Sequence, residues 1–155
     1  MWKIELPDLD ATLRLGRALG QLASAGTIVA LRGDLGAGKT SFAQGVGAGL
    51  NIEQAVVSPT FILMAEYEGG RLPLLHADAY RLKSGEAATI GFEETVELWP
   101  GVVLVEWAGR VDALLPADRI HVDLEHAGTG RVASISAQGP VHLAILTHWQ
   151  ERIES

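Results

Sequence analysis

Eight residues, Gly33-Asp34-Leu35-Gly36-Ala37-Gly38-Lys39-Thr40, satisfy the nucleotide-binding pattern of glycine, any four residues, then Gly-Lys-Ser/Thr. With 18 glycines, three lysines and fifteen serines plus threonines in the chain, chance predicts about 0.004 such matches per sequence. Glycines let successive backbone N–H groups converge on phosphate oxygens without a Cβ in the way. A helix starting at the end of the loop would aim its positive N-terminus at the same anion. Lys39 would reach the β- and γ-phosphates, and the Thr40 hydroxyl would join the shell of a bound Mg²⁺. Such a metal needs a carboxylate, and Val102-Val103-Leu104-Val105-Glu106 supplies one at the exit of an apolar strand. A carboxylate there is costly unless a cation or a donor compensates it, and the competing reading is a strand-end glutamate in solvent. In His76-Ala77-Asp78-Ala79-Tyr80-Arg81, alternation puts His76, Asp78 and Tyr80 on one face of an extended chain. There His76 and Asp78 could bind metal, orient water or satisfy one another. Ser58-Pro59-Thr60-Phe61 sets two hydroxyls beside a rigid bend, either a sensor of the γ-phosphate or a strand-entry turn.

These residues need elements to position them. Thr27–Leu31 is a continuous apolar, β-branched run, the pattern of a strand covered on both faces. The helix expected from Gly38 to Leu50 is stitched by Phe42, Val46 and Leu50. Upstream, Trp2–Leu6 reads as a strand, and Asp8 or Asp10 caps a helix to about Ser24 with Leu15, Leu19 and Leu22 on one face. Downstream, Phe61–Tyr67 and Leu72–Ala77 form a hairpin about Glu68-Gly69-Gly70-Arg71. Ser84–Ile90 is a short helix, Val102–Val105 a buried strand, and Ile120–Leu124 with Val132–Ala137 a second hairpin. Pro140 opens a closing helix to about Ile153, with Val141, Ala144, Ile145 and His148 facing inward. Strands joined by tight turns are antiparallel, so the sheet is expected to be mixed within an α/β layered architecture.

The whole chain sets bounds on this. Its 155 residues are the size of one domain, spanning 1–155, and 48% hydrophobic with 20% charged residues is ordinary globular composition. A net charge of −7 argues against a stand-alone binder of nucleic-acid backbones, which needs a basic face. The absence of cysteine removes disulfides, thiolate metal sites and thiol nucleophiles, and fits a reducing cytoplasm. No apolar run reaches the ~18 residues of a membrane span.

The loop through Phe42, together with Ser58-Pro59-Thr60-Phe61, His76-Ala77-Asp78-Ala79-Tyr80-Arg81 and Val105-Glu106-Trp107, resembles the bacterial TsaE (YjeE) family in order and spacing across nearly the whole chain. The family comprises small P-loop ATPases required for threonylcarbamoyladenosine (t6A) in tRNA. Ser41 in place of a common second threonine and a short loop before Ser58 are minor departures. The resemblance implies a three-layer, P-loop NTPase-like α/β fold with a mixed, mainly parallel central sheet, and Mg²⁺-ATP in the loop. It implies that Leu35, Gly36, Ala37, Gly38, Lys39, Thr40 and Ser41 wrap the phosphates, that Thr40 and Glu106 hold the metal, and that Asp78 serves hydrolysis. Thr60 would belong to a switch-like segment, and Thr12 and Arg131 match positions near the base and ribose. The implied partners are the TsaD–TsaB pair, with tRNA contacted through that complex and no membrane.

Other classes fare worse. A signalling GTPase selects guanine with Asn-Lys-x-Asp, and the sole asparagine, Asn51, is followed by Ile52. A small-molecule P-loop kinase needs an arginine-bearing lid, yet between Leu98 and Leu124 only the isolated Arg110 and Arg119 occur. A nucleotide-binding scaffold without turnover is the third reading. With no lid, no metabolite acceptor is expected, and slow turnover raised by partner proteins is. The acidic residues Glu86, Glu93, Glu94 and Glu97 are expected near the rim of the site, suited to a basic protein patch, against the plain alternative of a solvated helix face.

Overall fold

A computed structural model describes residues 1–34, 36–56, 64–78, 91–106 and 112–155. Leu35, Ser58, Thr60, the proposed helix at 84–90, Glu86 and the Trp107 and Arg110 positions lie outside the described residues. In chain order the elements are β1 (Trp2–Leu6), α1 (Leu9–Leu22), β2 (Ile28–Gly33), α2 (Lys39–Gly49), β3 (Met64–Tyr67) and β4 (Leu74–Asp78). They continue with α3 (Phe92–Leu98), β5 (Val102–Glu106), a 3₁₀ turn (Asp112–Leu114), β6 (Arg119–Ala127), β7 (Gly130–Gln138) and α4 (Pro140–Glu154). Helix α3 has no counterpart among the sequence-based expectations, because its seven residues span too few turns for a periodic apolar stripe.

The strands form one sheet in the order β1-β7-β6-β2-β5-β4-β3. The four central strands, β6, β2, β5 and β4, are mutually parallel, and antiparallel pairs close both edges. That is the expected mixed sheet, with its apolar runs in the doubly covered centre: Val29, Ala30, Leu31, Leu104 and Val105 are fully buried. Alternation then splits the core into two. Val29, Leu31 and Leu104 face α1 and α2, whereas Ile28, Ala30, Val103 and Val105 pack with Phe92 and Val96 of α3 on the opposite face. The exposed Glu93, Glu94 and Glu97 therefore sit across the sheet from α2. Among the described residues no helix is long and apolar enough to cross a membrane.

Asp8 caps α1 by accepting the Ala11 N–H at 2.8 Å. The β6–β7 hairpin is longer than expected, with Ala127 opposite Gly130 and only Gly128-Thr129 at the turn. Helix α4 departs from the expected phase. Ile145 is buried as expected, but Val141, Ala144 and His148 are exposed, and the inward face is His142, Ile145 and Trp149. Two anchors set this rotation. At the N-terminus, Asp118 accepts the N–H groups of Val141 and His142. Further along, Trp149 buries its ring edge-on to Trp2 (centroids 5.4 Å apart) and donates its indole N–H to the Leu15 carbonyl at 3.0 Å. The burial of an indole with a satisfied N–H outweighs that of Val141 and Ala144 together.

Candidate functional site

The carboxyl ends of parallel strands are where open α/β sheets present ligand sites, and four strands here deliver chemistry to that edge. Strand β2 ends at Gly33, whose ladder partner on β6 is Leu124. Strands β4 and β5 run in register so that Asp78 pairs with Glu106, and Glu106 pairs in turn with Leu31 of β2. Strand β7 returns antiparallel from the turn, so Arg131 stands opposite His126 and beside Leu6 of β1. The sheet thus gathers Lys39, Asp78, Glu106, Thr12 and Arg131, which are as much as 119 positions apart along the chain.

Between Gly33 and α2 the chain makes a tight loop, closed by an Ala37 N–H to Asp34 carbonyl bond at 2.9 Å. Gly36 and Gly38 have φ of +79° and +104°, the left-handed region where a side chain is strained. Gly38 is the N-cap of α2 without a side-chain cap, and the first helical bond runs from the Phe42 N–H to the Gly38 carbonyl. The first turn of α2 begins at Lys39 and Thr40, and the N-terminus of a helix, with its positive end, suits an anion. Lys39 itself is buried, and its ammonium donates to the carbonyls of Gly33 and Asp34. Burial pushes the Lys39 pKa below its ordinary value, against the pull of Glu106, then Asp34 and Asp78, which favour the charge.

Glu106 is only 4% exposed, which excludes a strand-end glutamate in solvent. Its Oε2 lies 2.6 Å from His76 Nε2, and His76 is fully buried. His76 and Asp78 do fall on one face of β4, but the imidazole hydrogen-bonds Glu106 of the neighbouring strand, a partner the sequence reading missed because it paired His76 only with Asp78; the β4–β5 register brings the two together. His76 Nδ1 is buried and has no hydrogen-bond partner among the described residues.

On the other side of the loop, Thr12, Gly36, Gly38, Ser41, Asp8 and Arg131 line a cavity of about 300 Å³. Thr12 is buried against Gly38. Arg131 donates from Nε and Nη2 to the Gly36 carbonyl at 3.2 and 2.9 Å, and from Nη1 to the Gly130 carbonyl at 2.8 Å. So the two residues matched to the base and ribose do share a cavity with the loop. Arg131 in addition ties the loop to β7, and His126 approaches Gly36 from β6; neither contact is visible without the β6–β7 register.

The donor set fits Mg²⁺ bound with a nucleotide. No group of three or more His, Asp or Glu that could hold a metal by itself occurs among the described residues. A phosphate-bound Mg²⁺ asks for less: one or two protein oxygens, with phosphate and water completing an octahedron. Thr40 at the start of α2 and the buried Glu106 are the residues that would hold it.

A parallel-centred sheet with a Gly-x4-Gly-Lys-Thr loop joining β2 to α2 defines a protein of the P-loop NTPase-like α/β class. Residues 6–133 match the family model described as threonylcarbamoyl adenosine biosynthesis protein TsaE. The chain is similar to the tRNA threonylcarbamoyladenosine biosynthesis protein TsaE of Nostoc sp. PCC 7120, 45% identical over 84% of this chain and 82% of that one. The protein of the same name from Bacillus subtilis is 39% identical over 82% and 78%. A crystal structure of Bacillus subtilis YdiB superposes with a TM-score of 0.85 at 30% identity, covering 97% of this chain and 95% of the other. The chain belongs to the TsaE family.

Proposed function

We propose that this protein is a Mg²⁺-dependent ATPase that supports t6A synthesis in tRNA together with a TsaD–TsaB-type pair. The observation that carries the reading is the convergence of Lys39, Asp78 and Glu106 at the mouth of the glycine loop, at the start of α2. Backbone N–H groups of the glycine loop and of the first turn of α2, with Lys39, bind the phosphates, Thr40 and Glu106 hold the metal, and the cavity between Thr12 and Arg131 takes the nucleoside. Mg²⁺ supplies charge neutralisation at the transferred phosphoryl group. Asp78, beside Glu106 on the adjacent strand, is the carboxylate of the hydrolytic step. No arginine-bearing lid is read from the sequence, which favours water as acceptor over a metabolite and partner-stimulated turnover over fast turnover alone.

The test is ATP hydrolysis by purified protein, alone and then with a TsaD–TsaB pair and tRNA, each with and without Mg²⁺. Slow Mg²⁺-dependent hydrolysis that rises with the partners is expected, and it is lost in Lys39→Ala while the circular dichroism spectrum is kept. Phosphate transfer to a metabolite would restore the kinase reading, and ATP binding without turnover under every condition would leave a scaffold.

A further inference from the structure

We infer that His76 is a positioning residue, an imidazole in β4 that fixes the Glu106 carboxylate in the orientation its metal requires; this deepens the Mg²⁺-ATPase reading and rests on it. The ladder explains how the contact arises. Asp78 pairs with Glu106 and His76 with Leu104, so His76 stands one residue pair behind the carboxylate, on the same face of the sheet. From there its Nε2 meets Oε2 at 2.6 Å, with both side chains out of solvent. A glutamate at a strand exit has several rotatable bonds, and a hydrogen bond to one oxygen suppresses the rotations that would swing the carboxylate away.

Packing alone gives no account of a histidine here. The neighbouring core positions on that face, Leu74 and Leu104, are aliphatic and fully buried. At His76 the fold instead keeps an imidazole whose Nε2 holds Glu106 and whose Nδ1 is buried with no partner among the described residues. A polar side chain at a fully buried core position is uncommon, and the hydrogen bond from this one to a candidate metal carboxylate gives the position a role that packing does not. Imidazole–carboxylate contacts behind a metal ligand orient it, and their loss costs about 10–100-fold in metal affinity.

The experiment measures the affinity of a fluorescent N-methylanthraniloyl-ATP in chelator and across a Mg²⁺ titration, with thermal melts alongside. In His76→Leu, the Mg²⁺ concentration that half-saturates the metal effect is expected to rise by about 10–100-fold, while affinity in chelator stays within about twofold, because backbone N–H groups bind phosphate without the metal. His76→Gln, whose amide N–H takes the place of Nε2, is expected to restore most of the Mg²⁺ response. If His76→Leu does not fold, His76→Asn replaces it: its shorter amide stands in for Nδ1 and does not reach Glu106. An unchanged Mg²⁺ requirement, an equal loss of affinity with and without metal, or no difference between Gln and the non-reaching variant would each overturn the positioning role. A wild-type protein whose nucleotide affinity ignores Mg²⁺ would remove the underlying reading, and the inference with it. A wild type that responds, with variants that respond identically, removes the inference alone.

Discussion

Gly16 of α1 and Gly45 of α2 pack backbone to backbone: a Cβ built on either would lie 3.2 Å from the other's Cα. The contact repeats one turn on, where a Cβ on Gly20 would meet the Val46 carbonyl oxygen at 2.3 Å and one on Gly49 the Arg17 carbonyl oxygen at 2.2 Å. Two small-xxx-small faces thus let α1 dock directly onto the helix that carries the phosphate loop, and place Thr12 beside Gly38.

Gly45→Ala is expected to destabilise the protein even though alanine is the better helix former. The propensity gain is up to about 1 kcal/mol. Against it, the new methyl would sit 2.4 Å from the Leu13 carbonyl oxygen, a backbone atom that cannot step aside. Overpacking of this kind costs about 1–3 kcal/mol, and with main chain on the far side the upper half applies. The net expectation is a melting temperature lower by roughly 2–8 °C, with Gln44→Ala on the exposed side of α2 as a control near wild type. A melting temperature at or above wild type for Gly45→Ala would show that the helices can separate without cost.

Much of this arrangement was legible in the sequence, and the rest failed for identifiable reasons. The apolar run before Arg32, the glycines, and Phe42, Val46 and Leu50 mark β2, the loop and α2 because each rests on local chemistry. Glu106 was legible as a carboxylate at the end of a buried strand. Its contact with His76 was not, since that depends on β4 and β5 being neighbours in one register. The same holds for Arg131 and Gly36, 95 residues apart. The phase of α4 was misread because Val141, Ala144 and His148 make a plausible stripe in isolation. What fixes the phase is Asp118 at one end and the pocket for Trp149 at the other.

Asp118 also gives a pH dependence of known sign. Burial tends to raise its pKa, but the N–H groups of His142 and Val141 and the His142 ring together outweigh burial and hold the carboxyl below its ordinary 3.8. The ring's protonation follows from its other nitrogen: His142 Nε2 accepts the Ile28 N–H at 2.8 Å, so Nδ1 carries the hydrogen donated to Asp118 at 2.6 Å. A carboxyl with a depressed folded pKa contributes stability that is whole above the unfolded pKa and is lost as pH falls through the folded one. Asp118→Ala is therefore expected to melt several degrees lower near neutrality, with the gap constant down to about pH 4 and narrowing below it. Asp118→Asn keeps an acceptor for the α4 N–H groups and is expected to fall between the two. A gap that stays constant into strong acid would mean that the carboxylate charge contributes nothing.

On the proposed function, Glu106→Ala separates metal from phosphate binding. The ligand acts through the ion, whereas the first turn of α2 contacts phosphate directly. Mg²⁺-dependent turnover is expected to fall by at least about tenfold, while nucleotide affinity in chelator is nearly kept. Equal losses with and without Mg²⁺ would make Glu106 a structural carboxylate, present to satisfy His76.

Arg131 tests whether the loop is held from outside as well as by its own glycines. Two guanidinium N–H groups converge on the Gly36 carbonyl and a third reaches Gly130, so the side chain bridges the left-handed corner of the loop to the start of β7. Without that bridge the loop keeps its turn bond from Ala37 to Asp34 and its glycine conformations, but the wall between loop and cavity loses its tie. Hydrogen bonds from a charged donor are worth about 1.5–3 kcal/mol when shielded, and this site is partly exposed, so the lower end applies. That corresponds to about tenfold weaker nucleotide binding in Arg131→Ala, with a melting temperature about 3–6 °C below wild type, because the same bonds tie the folded chain together. Arg131→Lys separates two causes. If the positive charge lining the cavity matters most, lysine restores affinity; if the forked contact on Gly36 does, lysine restores little, since a single ammonium cannot reproduce the planar pair. Undiminished nucleotide affinity in Arg131→Ala would show that the loop needs no support from β7.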